Sequence, residues 1–140
     1  MNKLHFFKTS LLQKIALYSV LGFLFLPFTV SAEMKDFQDF TGKSQEFKNY
    51  VGKGKWLVVM MWASDCHICN REAHQYVDFH MIHSDTDATV LGISLDGESR
   101  KKEAIGFIKK HSVDFPNLIA EPETVAKLFQ NSTGQGFAGT

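Results

Sequence analysis

Cysteine is scarce in this chain: Cys66 and Cys69 are the only two among 140 residues. One pair and this length leave room for a single domain. Clustered basic residues are missing, which leaves nucleic-acid binding without support. No internal repeat is present, so a solenoid or array is excluded. Acidic residues are absent until Glu33. Also missing is an apolar run of full membrane-spanning length, since Ile15–Val30 is 16 residues and a bilayer needs about 20.

What is present at the N-terminus reads as an export signal. Lys3, Lys8 and Lys14 precede the apolar run, which Ser19, Gly22, Pro27 and Thr29 interrupt. Val30-Ser31-Ala32 then offers the small residues of a cleavage site. The pattern predicts a secretory leader over residues 1–32 cleaved after Ala32, with an uncleaved membrane anchor as the alternative. Residues 33–140 would then form the exported domain, in a periplasmic or other extracytoplasmic space. Setting the three lysines aside leaves 12 basic against 15 acidic side chains, a net charge near −3. With 13 phenylalanines and 44% hydrophobic residues in the whole chain, a core can form.

The chemistry concentrates in Trp62-Ala63-Ser64-Asp65-Cys66-His67-Ile68-Cys69-Asn70-Arg71-Glu72. It follows the apolar run Trp56–Trp62, which predicts a strand covered on both faces and central in a sheet. A helix is predicted from Cys66 to about His80–His83, with Cys69, Ala73, Tyr76 and His80 on one face. Two cysteines two residues apart at a helix start can cycle between dithiol and disulfide with little backbone movement. The unpaired N–H groups of the first turn and the positive helix end favour a thiolate at Cys66. Cys69, one turn deeper, suits a resolving thiol. A structural staple is the weaker explanation, because so small a loop restrains little chain entropy.

Further on, Thr89–Leu95 predicts a second strand, parallel to the first through a helical crossover. Ser99–His111 predicts a second helix, with Ala104, Ile105, Phe107 and Ile108 inward. Phe115–Ala120 reads as a short extended piece. Pro122 opens a third helix with Val125, Leu128 and Phe129 buried, and a Gly/Ser/Thr-rich end from Asn131 carries only Phe137 as an anchor. Before the first strand, Phe37, Phe40, Phe47 and Tyr50 are spaced as anchors of a short helix or turn.

These residues resemble the thioredoxin superfamily, and within it the exported TlpA/ResA-like thiol–disulfide oxidoreductases. The resemblance rests on the strand into Trp62-Ala63, the Cys66-x-x-Cys69 pair, Glu72, Lys53-Gly54-Lys55-Trp56, Gly92–Asp96 and Val113-Asp114-Phe115-Pro116, and covers roughly residues 36–140. It implies an α/β thioredoxin-like fold and an oxidoreductase acting on protein disulfides, fed by a membrane donor of reducing equivalents, with reduction the expected direction. Cys66 would be the nucleophile, Cys69 the resolving thiol and Glu72 the proton acceptor. No cofactor is implied, since the dithiol carries the electrons.

The departures are informative. Cytosolic thioredoxins carry a buried Asp six residues before the first cysteine, where this chain has Met60. His67 and Ile68 replace the usual residues inside the pair. A protonated His67 would stabilise the Cys66 thiolate, and Asp65 would oppose it unless spent as a helix cap. Trp62 would pack beside the site and shape its surface. The chain stops at Gly136-Phe137-Ala138-Gly139-Thr140, where the family's cis-proline loop would follow, so the fold is expected to be incomplete, lacking its last two strands and helix.

Other classes fit less well. Cys66, Cys69, His80 and His83 roughly mimic a zinc-finger count, but they are strung along one helix, and no metal is expected. A thioredoxin-fold copper chaperone is the alternative from another class, although those proteins place three residues between their cysteines. A peroxidase needs a Thr and a Pro before a single reactive cysteine, and Ser64-Asp65 does not supply them. A non-catalytic fragment is the remaining reading.

Overall fold

The computed structural model describes residues 37–137. The leader expected over residues 1–32 and the terminal Ala138–Thr140 lie outside them. The elements are β1 (Phe37–Asp39), β2 (Ser44–Gln45), β3 (Trp56–Trp62), α1 (His67–His83), β4 (Ala88–Ser94), α2 (Lys101–Lys110), β5 (Asn117–Ile119) and α3 (Pro122–Thr133). The five strands form one sheet in the order β2-β1-β5-β4-β3. β3, β4 and β5 are parallel, and β1 is antiparallel to both β2 and β5.

Strand periodicity divides the core between the two faces of the sheet. In β4, Val90 joins Met60 and Trp62 of β3 under Ala73 of α1 and Ala104 and Phe107 of α2. Its neighbours Leu91 and Ile93 point the other way, to Phe37, Leu118 and Val125 of α3. α1 and α2 therefore cover one face and α3 the other. α3 starts on Pro122 and ends at Gly134 in the left-handed conformation, with φ 70°, as expected of a C-terminal glycine. It includes Asn131–Thr133, predicted to be irregular, and Phe137 packs edge-on against Phe129 with ring centres 5.4 Å apart.

One expectation needs correction. β3 is not central: among the described residues it pairs with β4 alone, and Trp56 at its start is 78% exposed. Of the short helix or turn expected between Phe37 and Tyr50, Phe47–Asn49 is a 3-10 helix, and Phe37–Gln45 is a β-hairpin. Its turn is built on Asp39, whose Oδ1 accepts from the Thr41 hydroxyl at 2.5 Å and from the Thr41 and Lys43 amides at 2.9 and 3.0 Å. Oδ2 accepts from Gln45 Nε2 at 2.9 Å. The Thr41 hydroxyl, with the other donors, holds the Asp39 carboxyl down at about 2.

One glycine makes room for a polar tie across the sheet. A Cβ at Gly92 would lie 1.8 Å from Asn117 Oδ1. That oxygen instead accepts from Trp62 Nε1 at 3.1 Å, so the buried indole N–H has its partner.

Candidate active site

The site lies where β3 gives way to α1. Cys66 is the N-cap of α1, and its Sγ accepts from the Cys69 amide at 3.2 Å. The two cysteines are joined as a disulfide with Cα atoms 5.3 Å apart, inside the range that a disulfide spans without distortion. Both are half-buried, and Cys69 packs against the core cluster that contains Trp62 and Ala73. On reduction, the N–H that now faces the Cys66 sulfur is placed to stabilise a thiolate there.

The two residues before Cys66 are held by a network that no local sequence pattern marks. Asp96, with its side chain wholly buried, accepts at Oδ2 from the Ser64 amide (2.9 Å) and at Oδ1 from the Ser64 hydroxyl (2.7 Å). The Ser94 hydroxyl donates to Oδ2 at 2.8 Å. Its charge is met by Arg100 Nε at 3.4 Å. The same guanidinium donates to Ser64 Oγ at 3.1 Å and to Asp65 Oδ2 at 2.6 Å. The parallel register explains the meeting. Trp62 lies opposite Ser94, so residues two places beyond each strand end, Ser64 and Asp96, fall side by side. Gly97, with φ 64°, turns the chain directly after.

A second tether reaches the site from the far end of α2. Asn70 Nδ2 donates to the carbonyls of Ser64 and Cys66, each at 3.0 Å. Its Oδ1 accepts from Lys110 Nζ and His111 Nε2, each also at 3.0 Å. Burial, reinforced by the nearby charges of Lys110 and His74, pushes the His111 imidazole below its ordinary value, which favours the neutral ring with its proton on the donating nitrogen.

The residues expected at the site have divided fates. Asp65 does not cap the helix, because Cys66 takes that role. Its carboxyl is instead lowered, first by the hydrogen bond from Arg100. Trp62 is 1% exposed and stacks on Phe107 with ring centres 4.3 Å apart. It is a floor under the site and not part of its surface. His67 is exposed and lines an open cleft beside Cys66. Glu72 stands one turn beyond Cys69, its side chain 40% exposed and 3.7 Å from Arg71 Nη2.

His80 and His83 serve the helix–sheet joint. His80 Nδ1 accepts from the Val90 amide at 3.2 Å, and His83 Nδ1 lies 2.9 Å from Asp87 Oδ1. At 1.5 Å per residue, His80 is roughly 16 Å along the helix from Cys69, so the finger-like count does not converge. Among the described residues, no group of three or more His, Cys, Asp and Glu side chains is placed to hold a metal ion.

The profile of the AhpC/TSA family matches residues 29–138. The chain belongs to the AhpC/TSA family. A curated relative is Peroxiredoxin Bcp of Bacillus subtilis, 27% identical over 89 residues that make up 63% of this AhpC/TSA chain and 54% of the relative. The chain thus spans about half the length of the curated relative it matches. A thiol:disulfide interchange protein of Chlorobium tepidum superposes with a TM-score of 0.58 at 22% identity, over 72% of this chain and 66% of its own. A secreted disulfide oxidoreductase of Mycobacterium tuberculosis gives 0.56 at 19% identity, over 67% and 66%. The thioredoxin domain of a Bacteroides vulgatus thiol-disulfide oxidoreductase gives 0.57 at 20% identity, over 71% and 68%. The AhpC/TSA chain therefore has a thioredoxin-like α/β fold.

Proposed function

We propose that this protein is a thiol–disulfide oxidoreductase that reduces disulfides of client proteins outside the cytoplasm. The observation that carries the reading is the cysteine pair at the first turn of α1, with Cys66 Sγ facing the Cys69 amide at 3.2 Å. In the reduced form, the Cys66 thiolate attacks one sulfur of a client disulfide. The client's other sulfur leaves as a thiolate and takes up a proton. Cys69, losing its proton, then attacks Cys66 in the mixed disulfide and frees the second client thiol. Two electrons pass to the client, and the pair ends as the disulfide seen here. A membrane donor of reducing equivalents would return it to the dithiol, and the exported position follows from the leader-like N-terminus. The fold likeness to interchange proteins agrees with this reading.

Equilibration of the chain in glutathione or dithiothreitol buffers, read by thiol alkylation, is expected to give a reversible two-electron couple of low potential. A high potential would make the protein an oxidant, and no reversible couple would sink the assignment. The relative's name raises peroxide as a substrate. Peroxide turnover outpacing disulfide exchange would favour that chemistry despite Ser64-Asp65 before Cys66.

Glu72 is the proposed acceptor of the Cys69 proton, on the strength of its place one helical turn away. Glu72→Gln is expected to slow resolution of the mixed disulfide about tenfold at neutral pH, and to leave the initial attack unchanged. Rapid-quench separation of the two steps reads both; an unchanged resolution rate removes Glu72 from the mechanism.

A further inference from the structure

The cleft beside the cysteine pair carries charge that the exchange chemistry does not use. It has a volume of about 610 Å³, opens to solvent, and is lined by Ser64, Asp65, His67, Asn70, Arg71 and Lys110. Its floor is polar and fixed, since Ser64 and Asn70 are tied into the two networks around Cys66. Asp65, its one carboxylate, pairs at 2.6 Å with Arg100, whose guanidinium it shares with buried Asp96.

The cations are less well matched. Among the described residues, Lys110 Nζ meets only the neutral amide oxygen of Asn70, at 3.0 Å. The Arg71 guanidinium is 64% exposed and pairs with Glu72 at 3.7 Å, beyond hydrogen-bond reach. His67 adds an imidazole to the lining. The lining thus carries two cations, Arg71 and Lys110, against one carboxylate, and it starts one residue from the reacting sulfur, on a domain whose expected net charge is negative.

We propose that this cleft receives an acidic side chain of the client polypeptide, one that flanks the client cysteine, with Lys110 and Arg71 as its contacts. The inference rests on the oxidoreductase reading and specifies the substrate class. An extended peptide suits the cleft better than a free small anion, because the cleft is open and offers no enclosing wall. Two partly exposed ion pairs predict a preference of about fivefold, carried by KM rather than kcat and lost at high salt.

The test uses the full chain and disulfide-linked peptides that differ only in their flanks: Glu and Asp, Gln and Asn, or Lys. The acidic peptide is expected to have the lowest KM. Lys110→Glu and, separately, Arg71→Glu should erase that advantage and improve the Lys-flanked peptide. A fluorescent acidic peptide with its cysteine replaced by serine reads binding by anisotropy without any exchange. Normal exchange with no flank preference overturns the cleft assignment and leaves the oxidoreductase reading standing. Salt-sensitive binding of the serine peptide, weakened by either reversal, supports the cleft even where exchange fails. Competition by free glutamate as effective as by the peptide overturns the polypeptide assignment.

Discussion

Cys66→Ser is expected to reduce thiol–disulfide exchange to the background rate, while Cys69→Ser accumulates mixed disulfides through Cys66. The asymmetry follows from where each sulfur sits. Cys66 caps α1 and faces a helix-terminal amide, and that position lowers a thiol pKa and makes the thiolate the nucleophile. Serine there has no accessible anion at neutral pH. Cys69 lies within the first turn and packs on the core cluster, so it meets the Cys66 sulfur more readily than an incoming chain. Without it the mixed disulfide has no internal route to resolution. Non-reducing electrophoresis and intact mass after mixing each reduced variant with a client disulfide read the outcome. Equal trapping by the two variants would reverse or cancel the assignment of roles.

The second large effect is expected at Asp96, which touches neither cysteine. Asp96→Ala removes the acceptor for the Ser64 amide, the Ser64 hydroxyl and the Ser94 hydroxyl, and part of the counter-charge of Arg100. Breaking a buried, charged, hydrogen-bonded group in this way costs about 3 kcal/mol. The loss is structural and also local to the site, because Ser64 is two residues from the nucleophile. Urea unfolding of the oxidised protein should show the stability loss. Alkylation of reduced Cys66 at neutral pH should slow about tenfold, as a misplaced helix terminus stabilises the thiolate less. Ser64→Ala, which keeps the amide contact, is expected to show a smaller loss of both. A stability within 1 kcal/mol of wild type for Asp96→Ala would mean that the network does not hold the loop.

What could be read in advance was local. The cysteine pair at a helix start, the extent of α1 and the opening of α3 at Pro122 each depend on neighbours within a turn or two. β3 was recognisable as a strand but not as an edge, because apolar residues on both faces report cover by helices and say nothing about which strands lie alongside. β1 was hidden for the same reason: its pairing with β5 joins Gln38 to Ile119, and its turn depends on four donors converging on Asp39. Around the site, Asp65 looked like a cap or an opponent of the thiolate because Arg100, 35 residues on, was out of view. Trp62 was expected beside the site, shaping its surface; that it lies beneath the site depends on how deep the strand end is buried, which strand alternation does not reveal. Asp96 was the most recoverable omission. Once β3 and β4 are taken as parallel, an acid two residues past one strand end and a serine two past the other invite the pairing.

Asn70 and Asp96 also set an order of events during synthesis. The chain is made N-terminus first, so both cysteines emerge 27 to 45 residues before Asp96, Arg100, Lys110 and His111. Until the later half folds, the pair has its helix and the local Asn70 bonds, but not the Asp96 acceptor of Ser64 or the Lys110 and His111 contacts that hold Asn70. Early in its emergence the dithiol thus has its helix-terminal amide but a loosely held approach, which becomes fixed only when the later half of the domain closes behind it.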